Sequence, residues 1–219
     1  MRDRPLPANA PMAFLADIHG NLSALDTVLD ELQRRGVSNI YAAGDLLLGG
    51  PAPVEVFKRL RQVSAKCIRG LSDNALVEVN PDRLAPGDER EREMARRFAQ
   101  TRRELGELAL KFLEQLPVKL RIPLMDGSEI LMVHGSPLDP TTEITHDLSD
   151  EQIVRLLADD PADIVVCGAS HLPFQRDLED VRVVNVGSVG QAPEGTVAHY
   201  TIISPRMEGI LIEQTWVDL

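Results

Sequence analysis

Five times along this chain, a short apolar run ends in a polar or metal-binding side chain set close to glycine. Phe14-Leu15-Ala16 runs into Asp17-Ile18-His19-Gly20-Asn21, and Ile40-Tyr41-Ala42-Ala43 into Gly44-Asp45. Ile130-Leu131-Met132-Val133 runs into His134-Gly135-Ser136, and Ile164-Val165-Val166-Cys167 into Gly168-Ala169-Ser170-His171. The last is Val183-Val184-Asn185, followed by Val186-Gly187-Ser188. Apolar runs of this length predict strands buried on both faces, and helical patterns between them predict βαβ units. In an open α/β sheet the carboxyl ends of the strands form the edge where ligands bind.

The rest of the pattern fits that class. Strands are expected at Met12–Ala16, Asn39–Ala43 and Ala65–Ile68, alternating with helices at Leu22–Arg35 and Pro53–Gln62. Leu25, Val28, Leu29 and Leu32 share one face of the first helix, and Gly36 stops it. A charged helix is expected from Gly87 to Gln115, with Met94, Phe98, Leu105, Leu108 and Phe112 as its apolar stripe. It reads as a solvated face, with a partner-binding or site-capping role as the alternative. The second half predicts strands at Val118–Pro123, Glu129–Val133, Asp163–Cys167, Phe174–Leu178, Val181–Val186, Val197–Ile203 and Gly209–Trp216. The Asp126-Gly127 turn marks a hairpin, and Ser149 with Gln152 forms a capping box for a helix over Ser149–Ala158. No repeat or linker divides the chain, so residues 1–219 are expected to form one domain, with 1–11 flexible.

Composition removes several classes. With 43% hydrophobic residues and no run of ~18 apolar ones, no membrane helix is expected. The opening Met1-Arg2-Asp3-Arg4-Pro5 has no signal-peptide apolar stretch, so a cytoplasmic location is expected. A net charge of −11 argues against a broad nucleic-acid surface. Cys67 and Cys167, each in an apolar run, read as buried thiols.

Asp17 alone reads as a turn former, and His134 alone as a satisfied core histidine. Together with His19, Asp45 and His171, at the ends of four predicted strands, they read as a metal site. Asp17 and His19, two apart in an extended segment, are expected to point to one side. Carboxylates with imidazoles suit Mn, Fe or Zn better than Ca, and the absence of a Cys cluster argues against structural zinc. The Gly187–Gly190 stretch reads either as a source of N–H groups for phosphate or as a tight turn. Asn21 and Ser188 are the candidates for substrate contact. His146 and His199 read as surface and strand residues.

Asp17-x-His19-Gly20-Asn21, Gly44-Asp45, His134-Gly135-Ser136 and Gly168-x-Ser170-His171 resemble, in order and spacing, the calcineurin-like metallophosphoesterase family. Asp17-Ile18-His19-Gly20-Asn21 and Asn185-Val186-Gly187-Ser188-Val189-Gly190 are most similar to its small bacterial and archaeal phosphodiesterase branch. The resemblance implies a four-layer αββα sandwich and hydrolysis of a phosphomonoester or phosphodiester by metal-activated water. It also implies a phosphorylated small molecule or phosphodiester as partner. It assigns Asp17, His19, Asp45 and His171 to one metal, and Asp45 and His134 to a second metal and to catalysis. The two other ligands of that second site are replaced by Leu71 and Ala169, and the family's general-acid histidine by Ser72. One tightly bound divalent ion is therefore expected, with a weak or absent second site unless Asp73 or Asn74 substitutes. The alternative is a weakly catalytic or inactive member that binds a phosphorylated ligand or a protein in the same cleft.

Overall fold

Met12, Phe14 and Ala16 point to one side of the first strand and Ala13 and Leu15 to the other, and all five are fully buried. That strand therefore has packed layers on both sides, which accounts for its unbroken apolar sequence. The computed structural model describes residues 7–219. The elements are β1 (Met12–Leu15), α1 (Leu22–Arg34), β2 (Asn39–Ala42), α2 (Pro53–Gln62), β3 (Lys66–Cys67) and α3 (Leu71–Glu78). A 3-10 turn (Pro81–Arg83) leads to α4 (Glu89–Gln115), β4 (Lys119–Pro123), β5 (Glu129–Val133) and α5 (Asp150–Leu157). The chain finishes with β6 (Ile164–Cys167), β7 (Phe174–Asp177), β8 (Arg182–Asn185), β9 (Val197–Arg206) and β10 (Gly209–Asp218).

The strands form two five-stranded sheets, ordered β10-β9-β1-β2-β3 and β4-β5-β6-β8-β7. Within them β1, β2 and β3 run parallel, as do β5, β6 and β8, while the remaining pairings are antiparallel. Phe14, Tyr41 and Ile68 from the first sheet meet Met132, Val166 and Val184 from the second in a shared core. Leu25, Val28, Val56 and Phe57 cover the outer face of the first sheet, and Ile153 and Leu157 that of the second. The order is thus helix, sheet, sheet, helix, the αββα arrangement the motifs implied. Among the described residues no helix is long and apolar enough to cross a membrane.

Two elements depart from expectation. Residues 71–78 form a helix that the sequence pattern did not announce, because only Asp73 and Leu76 are buried and no apolar stripe runs along it. The long charged helix is broken at Gly106, whose φ of 64° and ψ of −179° are not helical. That break shifts the phase of the stripe, so Leu105, Ala109 and Leu113 are buried while Leu108 is 66% exposed. Of the segment expected to be flexible, residues 1–6 lie outside the described residues. Ala8, however, is tied down: its N–H donates to the Pro123 carbonyl at 2.8 Å, and its own carbonyl accepts from Met125 N–H at 3.2 Å.

Candidate metal centre

The parallel strands of both sheets end at one place. Asp17 follows β1, Asp45 follows β2, His134 follows β5 and His171 lies four residues beyond β6, so four chain segments deliver a carboxylate or imidazole to a common point. His171 Nε2 lies 3.4 Å from Asp17 Oδ1, and His19 and His134 each place Nε2 3.9 Å from the same oxygen. Asp45 presents Oδ2 to His19 Nε2 at 3.9 Å and Oδ1 to His134 Nε2 at 3.3 Å. Two groups of donor atoms compact enough to surround an ion result: Asp17, His19 and His171, and Asp17, Asp45 and His134. Asp17 is common to both.

The backbone here is strained. Asp17, His19, Asp45, Ala169 and His171 all have positive φ, between 49° and 64°. Such values are uncommon outside glycine and concentrate at functional sites. The convergence of Asp17 and His19 is therefore not the alternation of an extended strand, as their spacing suggested. Both residues sit in left-handed turns pinned by hydrogen bonds from Asp17 N–H to the Gly44 carbonyl and His19 N–H to the Asp45 carbonyl. Only glycine fits where the turns close on each other. A Cβ on Gly70 would sit 2.2 Å from Asp45 Oδ1, and one on Gly168 would sit 2.8 Å from Asp17 Oδ2.

Each imidazole is oriented by a backbone carbonyl. His19 Nδ1 donates to Leu48 at 2.8 Å, His134 Nδ1 to Ala43 at 2.8 Å, and His171 Nδ1 to Gln191 at 3.2 Å. With the proton held on Nδ1, a neutral ring turns the lone pair of Nε2 inward, the arrangement that outer-shell acceptors give metal-ligating histidines. The carboxylates are steadied in the same way: Ala169 N–H donates to Asp17 Oδ2 at 3.0 Å and Ser72 N–H to Asp45 Oδ1 at 2.8 Å. Asp17 Oδ1 is buried and has no hydrogen-bond partner among the described residues. A buried carboxylate oxygen facing imidazole nitrogens rather than donors is costly in protein alone. A divalent cation would satisfy all of these atoms together, so the residues fit the group.

Without a cation, the electrostatics pair His134 with Asp45. Burial opposes a charge on His134, but the hydrogen bond to Asp45 and the charges of Asp45 and Asp17 outweigh it and raise its pKa to about 9. Burial likewise opposes the Asp45 charge, yet His134 and then His19 draw it down to about 2. The neighbouring Asp17 carboxylate, 3.4 Å away, raises His171 above its ordinary value.

The second-site positions offer no replacement ligands. Leu71 is 52% exposed at the start of α3, and Ala169 contributes only its N–H. Asp73 is fully buried and accepts N–H groups from Leu46 and Gly70 at 3.0–3.2 Å, so it anchors the start of α3 and is not free to ligate. Asn21 and Ser188, expected at the substrate, have their polar atoms engaged elsewhere. Asn21 Oδ1 caps α1 at Ala24 N–H, and its Nδ2 donates to the Gly190 carbonyl. Ser188 Oγ donates to the Asp17 carbonyl and accepts from Gln191 N–H. The N–H groups of Gly187, Val189 and Gly190 are also used inside the fold, as the tight-turn reading requires. His146 is exposed, His199 lies buried in β9, and both cysteines are buried and free, their thiols pushed up to about 12 by burial. Sequence reasoning singled out Asn185 at a strand end but gave it no role; its buried amide donates to the Gly168 carbonyl and Ser170 Oγ and so holds the loop that carries His171. That reasoning missed the orienting carbonyls, which leave no residue signature.

Among known proteins, the chain is 26% identical to the uncharacterized protein MJ0912 of Methanocaldococcus jannaschii, covering 95% of this chain and 88% of that one. It is 24% identical to phosphodiesterase YfcE of Escherichia coli K12, covering 88% and 86%. The crystal structure of hypothetical protein PH1004 from Pyrococcus horikoshii OT3 superposes with a TM-score of 0.78 at 25% identity, covering 95% and 88%. Residues 11–207 match the calcineurin-like phosphoesterase superfamily domain, and the chain belongs to that family.

Proposed function

We propose that this chain is a metal-dependent phosphoesterase in which Asp17, His19, Asp45 and His171 hold one divalent cation. The observation that carries the reading is the buried Asp17 Oδ1, left without a hydrogen-bond donor while three imidazole Nε2 atoms face it. A divalent ion held there supplies positive charge to the phosphoryl oxygens and lowers the pKa of water. The protein's part is positional. The Leu48 and Gln191 carbonyls keep the lone pairs of His19 and His171 inward, and Ser72 N–H fixes Asp45. His134, its ring set by the Ala43 carbonyl, directs Nε2 at the same space and stabilises charge on the phosphoryl group. Similarity to a protein named phosphodiesterase makes a phosphodiester the first substrate class to test.

A second reading, ligand binding without turnover, is favoured by Leu71, Ala169 and the committed carboxylate of Asp73, which leave the second metal position short of donors. Hydrolysis of bis-p-nitrophenyl phosphate by Mn²⁺-loaded protein separates the two. The enzymatic reading expects turnover that depends on Mn²⁺ and falls at least ~100-fold in His171→Ala, more than outer-shell changes cost. Phosphate binding without turnover assigns the chain to the second reading.

A further inference from the structure

The centre is not open equally on all sides. The side chain of His171 is 25% exposed, against 0–12% for those of Asp17, His19, Asp45 and His134, so the approach lies at His171. Gln191, whose carbonyl orients His171, stands on that rim beside Gly49: a Cβ on Gly49 would lie 2.8 Å from Gln191 Nε2 and 3.2 Å from His19 Cβ. Gly49 also begins the wall of a cavity of about 890 Å³ between the 48–51 loop and the first half of α4. This volume far exceeds a phosphate and falls in the range of small-molecule pockets.

The wall is mainly apolar: Leu48, Pro51, Leu84, Met94 and Phe98 line it. Met94 is 61% exposed and Leu84 40% exposed, although the rest of this stretch of α4 is dense in charge. Arg97 is the cation of the lining, and its guanidinium is held by Glu93 at 3.0 Å. Glu91 and Glu104 add negative charge, so the cavity repels a second phosphate. Gln100 and Thr101 supply an amide and a hydroxyl for the polar edge of a ring.

Building on the phosphoesterase reading, we infer that this cavity receives the organic part of the substrate and that this part is a flat, uncharged ring system of aryl or nucleobase size. The substrate then carries its phosphate at the centre and its ring against Met94 and Phe98, and a polyphosphate chain is excluded. The charged helix that reads from sequence as a solvated face serves as the specificity wall.

The test uses thymidine 5′-(p-nitrophenyl phosphate) as probe and two variants, Ala95→Trp, which fills the cavity, and Met94→Glu, which changes an exposed side chain. Both are expected to raise KM at least ~5-fold with little change in kcat, from lost apolar contact. The inhibition constant of inorganic phosphate, which occupies only the centre, should move less than ~2-fold, since it makes no contact with the cavity wall. An unchanged KM in both variants overturns the proposal. If the metal-loaded wild type hydrolyses nothing, the enzymatic reading falls, and the pocket is judged by equilibrium binding of the intact ester. Weaker binding in both variants then supports the pocket, and equal binding overturns it.

Discussion

His19 Nε2 and His171 Nε2 lie 3.3 Å apart, although 152 residues separate them in the chain. Each ring has its other nitrogen on a backbone carbonyl, so two neutral rings would bring lone pair against lone pair. Only a shared proton or a cation makes that approach favourable, and the buried Asp17 carboxylate beside them selects for positive charge.

A site built for a cation is destabilised when it is empty. Asp17→Asn removes a buried negative charge and puts an amide donor opposite the waiting nitrogens, while its oxygen still accepts from Ala169 N–H. In chelator and above about pH 9, where the raised His134 has lost its proton, the variant is expected to be more stable than wild type by about 1 kcal/mol, the net worth of a buried hydrogen bond gained. With Mn²⁺ the order reverses, because wild type gains binding energy that the variant lacks. Thermal unfolding with and without metal measures both.

The His134–Asp45 pair gives the metal-free protein a defined pH dependence. His134 is raised from 6.5 to about 9, so its contribution is complete below pH 6.5 and is lost as pH rises through about 9. Asp45 is lowered from 3.8 to about 2, so its contribution is present above pH 3.8 and is lost as pH falls through about 2. The stability gap between wild type and His134→Gln in chelator is therefore expected to peak between pH 3.8 and 6.5, at about 2–3 kcal/mol. Urea titrations across pH read it, and a gap that grows from pH 7 to 9 contradicts the pairing.

The missing second site should be recoverable. Leu71 is half exposed at the start of α3, so Asn costs little there, and Ala169 already holds a φ of 64° that histidine tolerates better than most residues. Leu71→Asn with Ala169→His is expected to raise bound metal from about one to about two ions per chain, the complement of a paired-metal phosphoesterase site. Hydrolysis of bis-p-nitrophenyl phosphate should rise at least ~100-fold. No gain in either would show that the cleft has been remodelled around these positions.

Much of this was legible in the sequence because strands buried on both faces leave no ambiguity about where they end. Asp17, Asp45, His134 and His171 stand within four residues of the ends of such strands, and parallel pairing brings those ends together. What could not be read belongs to the backbone. The left-handed turns at Asp17 and His19, the carbonyls of Leu48, Ala43 and Gln191, and the break at Gly106 depend on φ and on tertiary contact. Helix α3 was missed for a related reason: it begins at a glycine and is held by Asp73, whose bonds from Leu46 and Gly70 N–H depend on tertiary contact. The hydrogen bonds of Asn21 and Ser188 within the fold were likewise not legible, since they too depend on tertiary contact.

Asp17, His19, Asp45 and His171 are proposed to hold a single divalent ion, with His134 directed at the same space. The direct measurement is metal content per chain, by inductively coupled plasma mass spectrometry, after saturation with Mn²⁺ and exhaustive dialysis. A value close to one is expected, lost in Asp17→Asn. A value close to two in the wild type, or no retained metal at all, contradicts the proposal.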